Sequence, residues 1–285
     1  MKYSELNEKK AHGTPDFPIE FYSLSPSHRQ YVMPPHWHAE IELILVLEGR
    51  FDLYLNKRHY AMTAGDVAFV NPGTIHHGEP SDCRYECIVF HPDMLRQSNA
   101  ALVNRYVKSF SARTVAVKEY FQSGNAPQLE AVVNRLFSLM RNASEHTALA
   151  VYAALYELFY TLYTSNAVVA VTSDKSQQKQ LDHLMTLLEW IEDHYTERIT
   201  LARLSKTAGI NEKYLCRFFK AYTSYTPIDY INRIRIEKAA ADLSLLHRSV
   251  TEAAFANGFN DSAYFAKLFR QIKGVSPKQY QQGKG

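Results

Sequence analysis

Leu201-Ala-Arg-Leu-Ser-Lys-Thr-Ala-Gly-Ile210 and Val250-Thr-Glu-Ala-Ala-Phe-Ala-Asn-Gly-Phe259 are two versions of one sequence pattern, about fifty residues apart. Each is followed by a polar residue, an amphipathic run, and then a Thr-Pro or Ser-Pro pair three residues before a tyrosine. A pattern repeated at this period is one supersecondary unit used twice. Helix, glycine turn and second helix make a helix-turn-helix. The chain is therefore predicted to carry two of them.

The turn chemistry of the two units agrees in detail. Gly209 and Gly258 stand where the first helix must end, a position that favours glycine because it tolerates positive φ. Asn211, and Asp261 or Ser262, are good N-caps for the second helix of each unit. Apolar residues at three- and four-residue spacing predict the buried face of each second helix. They are Leu215, Phe218, Phe219, Phe265, Leu268 and Phe269. A long connecting helix is expected over 227–246, with Ile228, Ile231, Ile234 and Leu245 buried.

Positive charge is concentrated in the same segment. Residues 198–285 hold fifteen Lys or Arg against six Asp or Glu, whereas residues 1–180 hold seventeen against eighteen. The whole chain carries only +3, so the repeat segment supplies the excess. Such a basic stretch is typical of a surface that meets the phosphates of a nucleic acid. Two solvated helical hairpins with incidental charge would explain the bias but not the duplicated turns.

The segment 199–282 resembles the double helix-turn-helix domain of the AraC/XylS family of bacterial transcription regulators. The second unit carries the resemblance most specifically, through Gly258-Phe259, Tyr264-Phe265, Phe269, Gly274 and Ser276-Pro277-x2-Tyr280. Gln281 stands where a basic residue is expected, at the cost of one phosphate contact. The resemblance implies double-stranded DNA and RNA polymerase as partners, and a homodimer. It places these residues at the DNA: Lys213, Cys216, Arg217, Lys220, Ser262, Ala263, Ala266, Lys267 and Arg270. Arg217 is the strongest candidate for reading a base, because a guanidinium can bond guanine bidentately.

The first hundred residues alternate with a period of two. From Trp37 to Leu47 the odd positions are apolar, and a strand would place them on one face. The even positions begin with His36, His38, Glu40 and Glu42. Further short strands at 51–55, 67–70 and 85–90, with turns between them, predict a small barrel or sandwich. His77 and Glu79 are expected in a loop.

This region also resembles the two cupin motifs. The first reads His36-x-His38-x3-Glu42-x6-Gly49, and the second Gly65-x5-Asn71-Pro72-Gly73-x2-His76, with Asn71 in place of a proline. The resemblance to metal-dependent cupins implies a divalent metal at His36, His38, Glu42 and His76. Three alternatives stay open: a metal site, a metal-free effector pocket that requires no cofactor, and a polar face exposed to water. The candidate pocket residues are His36, His38, Glu42, Tyr54, His76 and Glu86. Their polarity favours a carbohydrate or related metabolite.

Length and composition fit an α+β chain of several domains. We predict a cupin-like barrel over 1–100, a helical segment over 101–171, a linker over 172–180 and the double helix-turn-helix domain over 181–285. The helix at 147–163 is apolar nearly all round, so it must be covered by its own domain or by a second chain. Three cysteines without metal-site spacing, the lack of a signal-peptide pattern and the polar residues within 148–171 favour a cytoplasmic protein with no membrane segment.

Together these patterns predict a transcription regulator, most often an activator in this family, that is controlled by a small effector and is not an enzyme. One alternative is a metal-dependent cupin enzyme fused to a DNA-binding domain. It draws support from the complete set of three histidines and one glutamate, but no further acid–base pair is evident. Another alternative is an architectural DNA-binding protein whose barrel only dimerises.

Overall fold

The computed structural model describes residues 12–14, 16–28, 31–171, 175–246 and 248–282, apart from the side chains of 175–178 and 245. The chain forms two compact units that divide between residues 173 and 174. A sheet-rich N-terminal unit precedes a helical C-terminal unit, which confirms the α+β class. Of the predicted linker 172–180, residues 172–174 lie outside the described residues. Residues 175–180 are helical and begin the helix Lys175–His194.

Nine strands, one short 3-10 helix (Pro92–Leu95) and three α-helices make up the described part of the N-terminal unit. The strands are β1 (Ile19–Leu24), β2 (Met33–His36), β3 (Ile41–Leu55), β4 (Arg58–Thr63), β5 (Val67–Val70), β6 (His76–Phe90), β7 (Val115–Val117), β8 (Tyr120–Phe121) and β9 (Val168–Ala170). The helices are α1 (Ala101–Ser111), α2 (Pro127–Arg141) and α3 (Thr147–Thr164). The segment 101–171, predicted to be helical, thus also contains three short strands.

Two 15-residue strands, β3 and β6, form the centre of the main sheet. The sheet order is β1-β6-β3-β5-β8, with β2 on β6 and β4 on β3, and all these pairs are antiparallel. The ranges 51–55 and 85–90 were predicted as separate strands. In the structure they are the final residues of β3 and of β6. His77 and Glu79 lie in β6, so their expected place in a loop was wrong.

The sheet curls into a barrel, as a comparison of register and distance shows. Glu42 pairs with Val89 and Leu55 with His76, so Glu42 and His76 are thirteen rungs apart in the β3–β6 ladder. In a flat sheet that offset would span about 43 Å. The Glu42 carboxylate nevertheless lies 3.0 Å from His76 Nε2. Only closure of the sheet brings the two ends of the ladder together.

The two faces of the sheet exchange roles at a bulge near Gly49. The β3–β6 register shifts between Val46 and Arg50, and Gly49 has φ +76°. A side chain there would overlap the backbone of Asp82, so this close approach requires glycine. Before the bulge the even positions of β3 face the barrel interior, and after it the odd positions do.

Helices α2 and α3 cover the outer face of the sheet. The odd residues at the start of β3 pack with Val133, Leu136, Leu155 and other apolar side chains of these helices in one buried cluster. Helix α2 thus buries one apolar face, formed by Leu129, Val132, Val133, Leu136 and Phe137. One side of α3 is covered within its own unit, while Leu149 and Tyr160 on the other side stay 80 % and 70 % exposed.

The C-terminal unit is all α-helical in its described residues. Its helices are α4 (Lys175–His194), α5 (Leu201–Ala208), α6 (Glu212–Thr223), α7 (Pro227–Leu245), α8 (Val250–Ala256), α9 (Ser262–Lys273) and α10 (Pro277–Gln281). Pairs α5–α6 and α8–α9 are the two predicted helix-turn-helix units, and α7 is the long helix between them. Ile231 and Ile234 are buried as expected. Ile228 is 39 % exposed, contrary to expectation, and the Leu245 side chain lies outside the described residues.

Local capping explains where these helices start and stop. Gly209 and Gly258 have φ +63° and +81°, as their turns require. The Asn211 side chain accepts a hydrogen bond from the Lys213 amide, and Asp261, rather than Ser262, caps α9. Among the described helices, none combines the length and the apolar character that a membrane crossing needs.

Candidate functional site

The second helix of each repeat presents a polar and basic face. In α6, Leu215, Phe218 and Phe219 are buried, which turns the remaining side of the helix outward. In α9, Phe265 and Phe269 do the same. The predicted DNA contacts that are exposed are Lys213, Arg217, Lys220, Ser262, Ala263, Lys267 and Arg270, while Cys216 and Ala266 are half-buried. The nine predicted residues thus lie on the faces that the cores of the two repeats leave uncovered.

Two exposed tyrosines on these faces were missed in the sequence. Tyr214 and Tyr264 occupy equivalent places in the two repeats, directly before the buried Leu215 and Phe265. The Arg217 guanidinium lies over the Tyr214 ring at 5.4 Å from its centroid. The Tyr264 hydroxyl accepts a hydrogen bond of 3.2 Å from Asn232 of α7. Their matching position fifty residues apart was the available signal, but an aromatic residue in a helix is ordinarily assigned to a core.

Arg235 of α7 fixes α7 to the end of α4. Its guanidinium donates to the carbonyl oxygens of Tyr195 and Glu197, each at 2.7 Å. These carbonyls follow the last turn of α4, where helical backbone acceptors lack partners of their own. Burial lowers the pKa of this guanidinium. The helix α7, which connects the two repeats, is therefore held against the end of α4.

Four predicted side chains meet inside the barrel, and we call them the barrel cluster: His36, His38, Glu42 and His76. One ligand atom from each lies within 4.8 Å of those of the others. Glu42 Oε2 is 3.2 Å from His38 Nε2 and 3.0 Å from His76 Nε2. The rings of His36 and His76 have centroids 4.0 Å apart. Of the alternatives left open by the sequence, a polar face exposed to water is wrong, because His38, Glu42 and His76 are buried.

The other nitrogen of each imidazole faces a main-chain carbonyl. His36 Nδ1 lies 2.8 Å from the Pro34 oxygen, His38 Nδ1 3.2 Å from that of Glu40, and His76 Nδ1 2.9 Å from that of Thr74. A carbonyl only accepts, so each Nδ1 carries the proton and donates. In His38 and His76, Nε2 is then the nitrogen that meets the Glu42 carboxylate.

Glu42 is a charged group in a buried place. Burial by itself raises the pKa of its carboxyl, but the hydrogen bonds with His38 and His76 outweigh burial and hold the pKa well below its usual range. The carboxylate is therefore the negative centre of the barrel cluster. Glu40 and His12 lie beside it, with the Glu40 carboxylate 3.7 Å from His38 Nδ1 and 3.5 Å from His12 Nδ1. Neither residue was among the predicted pocket residues, although Glu40 lies on the polar face of the predicted strand.

Two predicted pocket residues lie elsewhere. Tyr54 is on the outer side of the sheet, stacked between His59 and His77 at centroid distances of 4.7 and 4.5 Å. Glu86 also faces outward, with its carboxylate 3.2 Å from Arg141 of α2, and burial raises its pKa. Both residues were assigned to the pocket from the alternation of side chains along a strand, and the bulge near Gly49 reverses that alternation. The barrel interior behind the cluster is apolar, with Ile44, Phe51 and Leu53 fully buried there.

Two protein-family models match this chain. A family model described as an AraC-like ligand binding domain matches residues 18–159, and one described as a helix-turn-helix domain matches residues 204–283. The chain belongs to the AraC family of transcriptional regulators.

Relatives that match nearly the full length of this chain are regulators by name. The HTH-type transcriptional regulator YdeC of Bacillus subtilis, described as uncharacterized, is 28 % identical over 96 % of this chain and 95 % of its own. The HTH-type transcriptional activator RhaS of Escherichia fergusonii is 28 % identical over 96 % of this chain and 98 % of its own. Among solved structures, ToxT from Vibrio cholerae O395 is similar at 14 % identity and a TM-score of 0.45, over 94 % of this chain and 98 % of that one.

Proposed function

We propose that this protein is a sequence-specific transcription activator of the cytoplasm that responds to a small effector held in its N-terminal barrel. Membership of the AraC family supports a regulator with a ligand-binding domain and a DNA-binding domain. The names of the RhaS relatives support activation, and with it a contact to RNA polymerase. The relatives are regulators rather than enzymes, which favours regulation over the catalytic alternative.

The observation that carries DNA binding is the pair of equivalent helices α6 and α9. Each helix comes shortly after a glycine with positive φ. Each begins at a residue whose side chain caps the helix, and each exposes basic residues. Helices of this kind enter the major groove of DNA, and successive grooves on one side of a duplex are about 34 Å apart. We propose that Arg217 and Lys267, at matching places in the two repeats, lie nearest to base edges, and that Lys220 and Arg270 meet phosphates.

We propose the barrel cluster as the polar end of the effector site. The structure gathers its three imidazoles and one carboxylate inside the barrel. A carbohydrate was expected from six polar residues, and two of them, Tyr54 and Glu86, lie on the outer side of the sheet. The apolar interior behind the cluster favours an effector with one polar end and a small apolar body.

We further propose a homodimer formed by the N-terminal unit. Leu149 and Tyr160 on α3, and Leu102 and Tyr106 on α1, are large apolar side chains that stay exposed. Exposed apolar surface of this kind is typical of an interface with another chain. Sedimentation of wild type against a Leu149→Glu, Tyr160→Glu double variant tests it. The proposal expects a dimer that the double variant lacks, and a monomeric wild type at micromolar concentration would contradict it.

A selection of bound sequences from a random duplex pool, with full-length protein at fixed salt, tests the DNA-binding function. The proposal expects one motif with two short blocks about one helical turn apart. Repeating the selection with Arg217→Ala and with Lys267→Ala gives a matched pair, since these residues occupy equivalent places in the repeats. Each variant should relax a different block. Binding that is sensitive to salt but yields no motif would favour the architectural alternative instead.

A further inference from the structure

We infer that the Tyr264 hydroxyl donates a hydrogen bond to a phosphate of the DNA backbone, and that Asn232 holds the hydroxyl in the orientation for it. Neither residue is among the nine predicted DNA contacts. The inference concerns the DNA-binding surface, so it rests on the function proposed above. Three observations carry it: the place of Tyr264 on α9, its bond to Asn232 and the charges around it.

Tyr264 lies at the edge of the outward side of α9. Phe265 and Phe269 mark the buried side of this helix, and Ala263 and Lys267, four residues apart, lie on the exposed side. Tyr264 lies between these two sides and keeps 48 % of its surface exposed. The major groove is about 12 Å wide, which is close to the diameter of a helix with its side chains. A helix in the groove therefore meets base edges with the middle of its exposed side and phosphates along its edges.

The bond from Asn232 orients the hydroxyl of Tyr264. Asn232 of α7 is only 8 % exposed, and its Nδ2 donates to the Tyr264 oxygen at 3.2 Å. The O–H bond of a phenol lies in the plane of the ring and has two positions there, one on each side of the ring axis. Because the Asn232 donor takes one side, the Tyr264 proton lies on the other. The hydroxyl thus accepts from the protein and presents its own proton away from Asn232.

The charges around Tyr264 favour an anion. Lys267 and Arg270 of the same helix are exposed. Arg235 lies on the α7 side, where burial lowers the pKa of its guanidinium and Tyr264 acts in the opposite direction, so these two side chains interact. The carboxylate of Asp261 caps α9 and already accepts two amides of its first turn. A phosphate would therefore meet positive charge and a hydroxyl donor at this edge of the helix.

The equivalent tyrosine of the first repeat is held in another way. The Tyr214 ring stacks on Phe218 at a centroid distance of 5.7 Å and lies beneath the Arg217 guanidinium. Neither of these contacts involves the hydroxyl. The oriented hydroxyl is therefore inferred to act in the second repeat, at the DNA block that α9 meets.

Competition binding at several salt concentrations tests the inference, with full-length protein, the duplex recovered by selection and a duplex of random sequence. Tyr264→Phe removes the hydroxyl and keeps the ring. Tyr280→Phe is the matched control, because Tyr280 belongs to the same unit and packs its ring on Phe269 at 5.4 Å. Thermal unfolding of each variant checks that it is folded.

We expect Tyr264→Phe to weaken binding to both duplexes by about 3–10-fold, and Tyr280→Phe to bind like the wild type. A phosphate carries no sequence information, so base preferences should stay the same. A neutral donor displaces no counterion, so the salt slope should also stay the same, unlike that of Arg270→Ala. Wild-type affinity in Tyr264→Phe, equal losses in the two variants or a changed base preference would overturn the inference.

The role of Asn232 is tested by combining substitutions. Asn232→Ala frees the hydroxyl to rotate and should weaken binding by about 2–5-fold. In the Tyr264→Phe background the same substitution should weaken binding no further, because the hydroxyl that it orients is already gone. Losses that multiply in the double variant would show that Asn232 acts on DNA binding by another route.

Neutral methylphosphonate, placed at one phosphate of the recovered duplex at a time, locates the contact. The wild type should lose affinity at one phosphate in the block of the second repeat, and Tyr264→Phe should lose none at that phosphate. Equal losses for the two proteins at every phosphate would contradict the contact.

The inference and the proposed function fail separately. A recovered DNA motif, together with Tyr264→Phe that binds like the wild type, would remove only the phosphate contact. A wild type without affinity for DNA would remove the DNA-binding function and the contact together.

Discussion

The two turn glycines allow one substitution to be made at equivalent places with different surroundings. Gly209 and Gly258 both have positive φ, so alanine at either pays the cost of a left-handed backbone, about 1–2 kcal/mol. A methyl group on Gly209 would meet open space. On Gly258 it would lie 2.7 Å from the carbonyl oxygen and 2.8 Å from the Cα of Thr196. Because backbone cannot move aside as a side chain does, this overlap adds about 1–3 kcal/mol.

We therefore expect Gly258→Ala to lower the free energy of unfolding of the C-terminal unit by about 2–5 kcal/mol, and Gly209→Ala by about 1–2 kcal/mol. The chain has two tryptophans, of which Trp190 belongs to α4 of this unit. Urea unfolding followed by Trp190 fluorescence, in a Trp37→Phe background shared by all variants, measures the difference directly. Equal losses for the two alanine variants would refute the close packing of Gly258 on Thr196.

Three further predictions concern the DNA face, the barrel and a buried carboxyl. Arg217→Ala should weaken specific DNA binding by about 1–3 kcal/mol and relax one base preference, whereas Lys220→Ala should weaken all sequences alike and flatten the salt slope by about one unit. Competition binding at several salt concentrations measures both, and exchanged outcomes would contradict the assignment. Gly78→Ala should destabilise the N-terminal unit by about 1–3 kcal/mol, because its methyl group would overlap the Phe51 ring. Adding Phe51→Leu should recover part of the loss in thermal unfolding, and fully additive losses would count against this explanation. Burial raises the pKa of Glu86, so its contribution to stability is present below the ordinary carboxyl pKa and is lost as pH rises through the raised value. Glu86→Gln should therefore stabilise the protein more at pH 7 than at pH 4 in urea unfolding, and a difference independent of pH would contradict it.

The C-terminal unit was predictable because its signals are local. A glycine at a helix end, an N-cap such as Asn211 and apolar spacing within one helix depend on neighbours a few residues away. The two turn glycines and the N-cap Asn211 were confirmed, and the duplication allowed one repeat to check the other. Leu268, predicted on the buried face of α9, is half-buried. Ile228 was assigned wrongly, because periodicity alone does not tell which turn of α7 another helix covers.

The barrel was predictable only in part, because its closure is not local. His36, His38, Glu42 and His76 were grouped correctly from their motifs, yet no pattern within β3 or β6 indicates that residues thirteen rungs apart meet. The alternation of side chains along a strand gave the wrong face for Tyr54 and Glu86, because the bulge near Gly49 exchanges the two faces of the sheet. A glycine within an alternating run was the available signal for such a bulge.

The central claim is that two helices of one chain read two successive major grooves. The most direct measurement is a phosphate-ethylation interference footprint of full-length protein on the duplex recovered by selection. The claim predicts two clusters of interfering phosphates, about 10 base pairs apart on one face of the duplex, with Lys220→Ala weakening one cluster and Arg270→Ala the other. A single cluster that both substitutions weaken equally would contradict it.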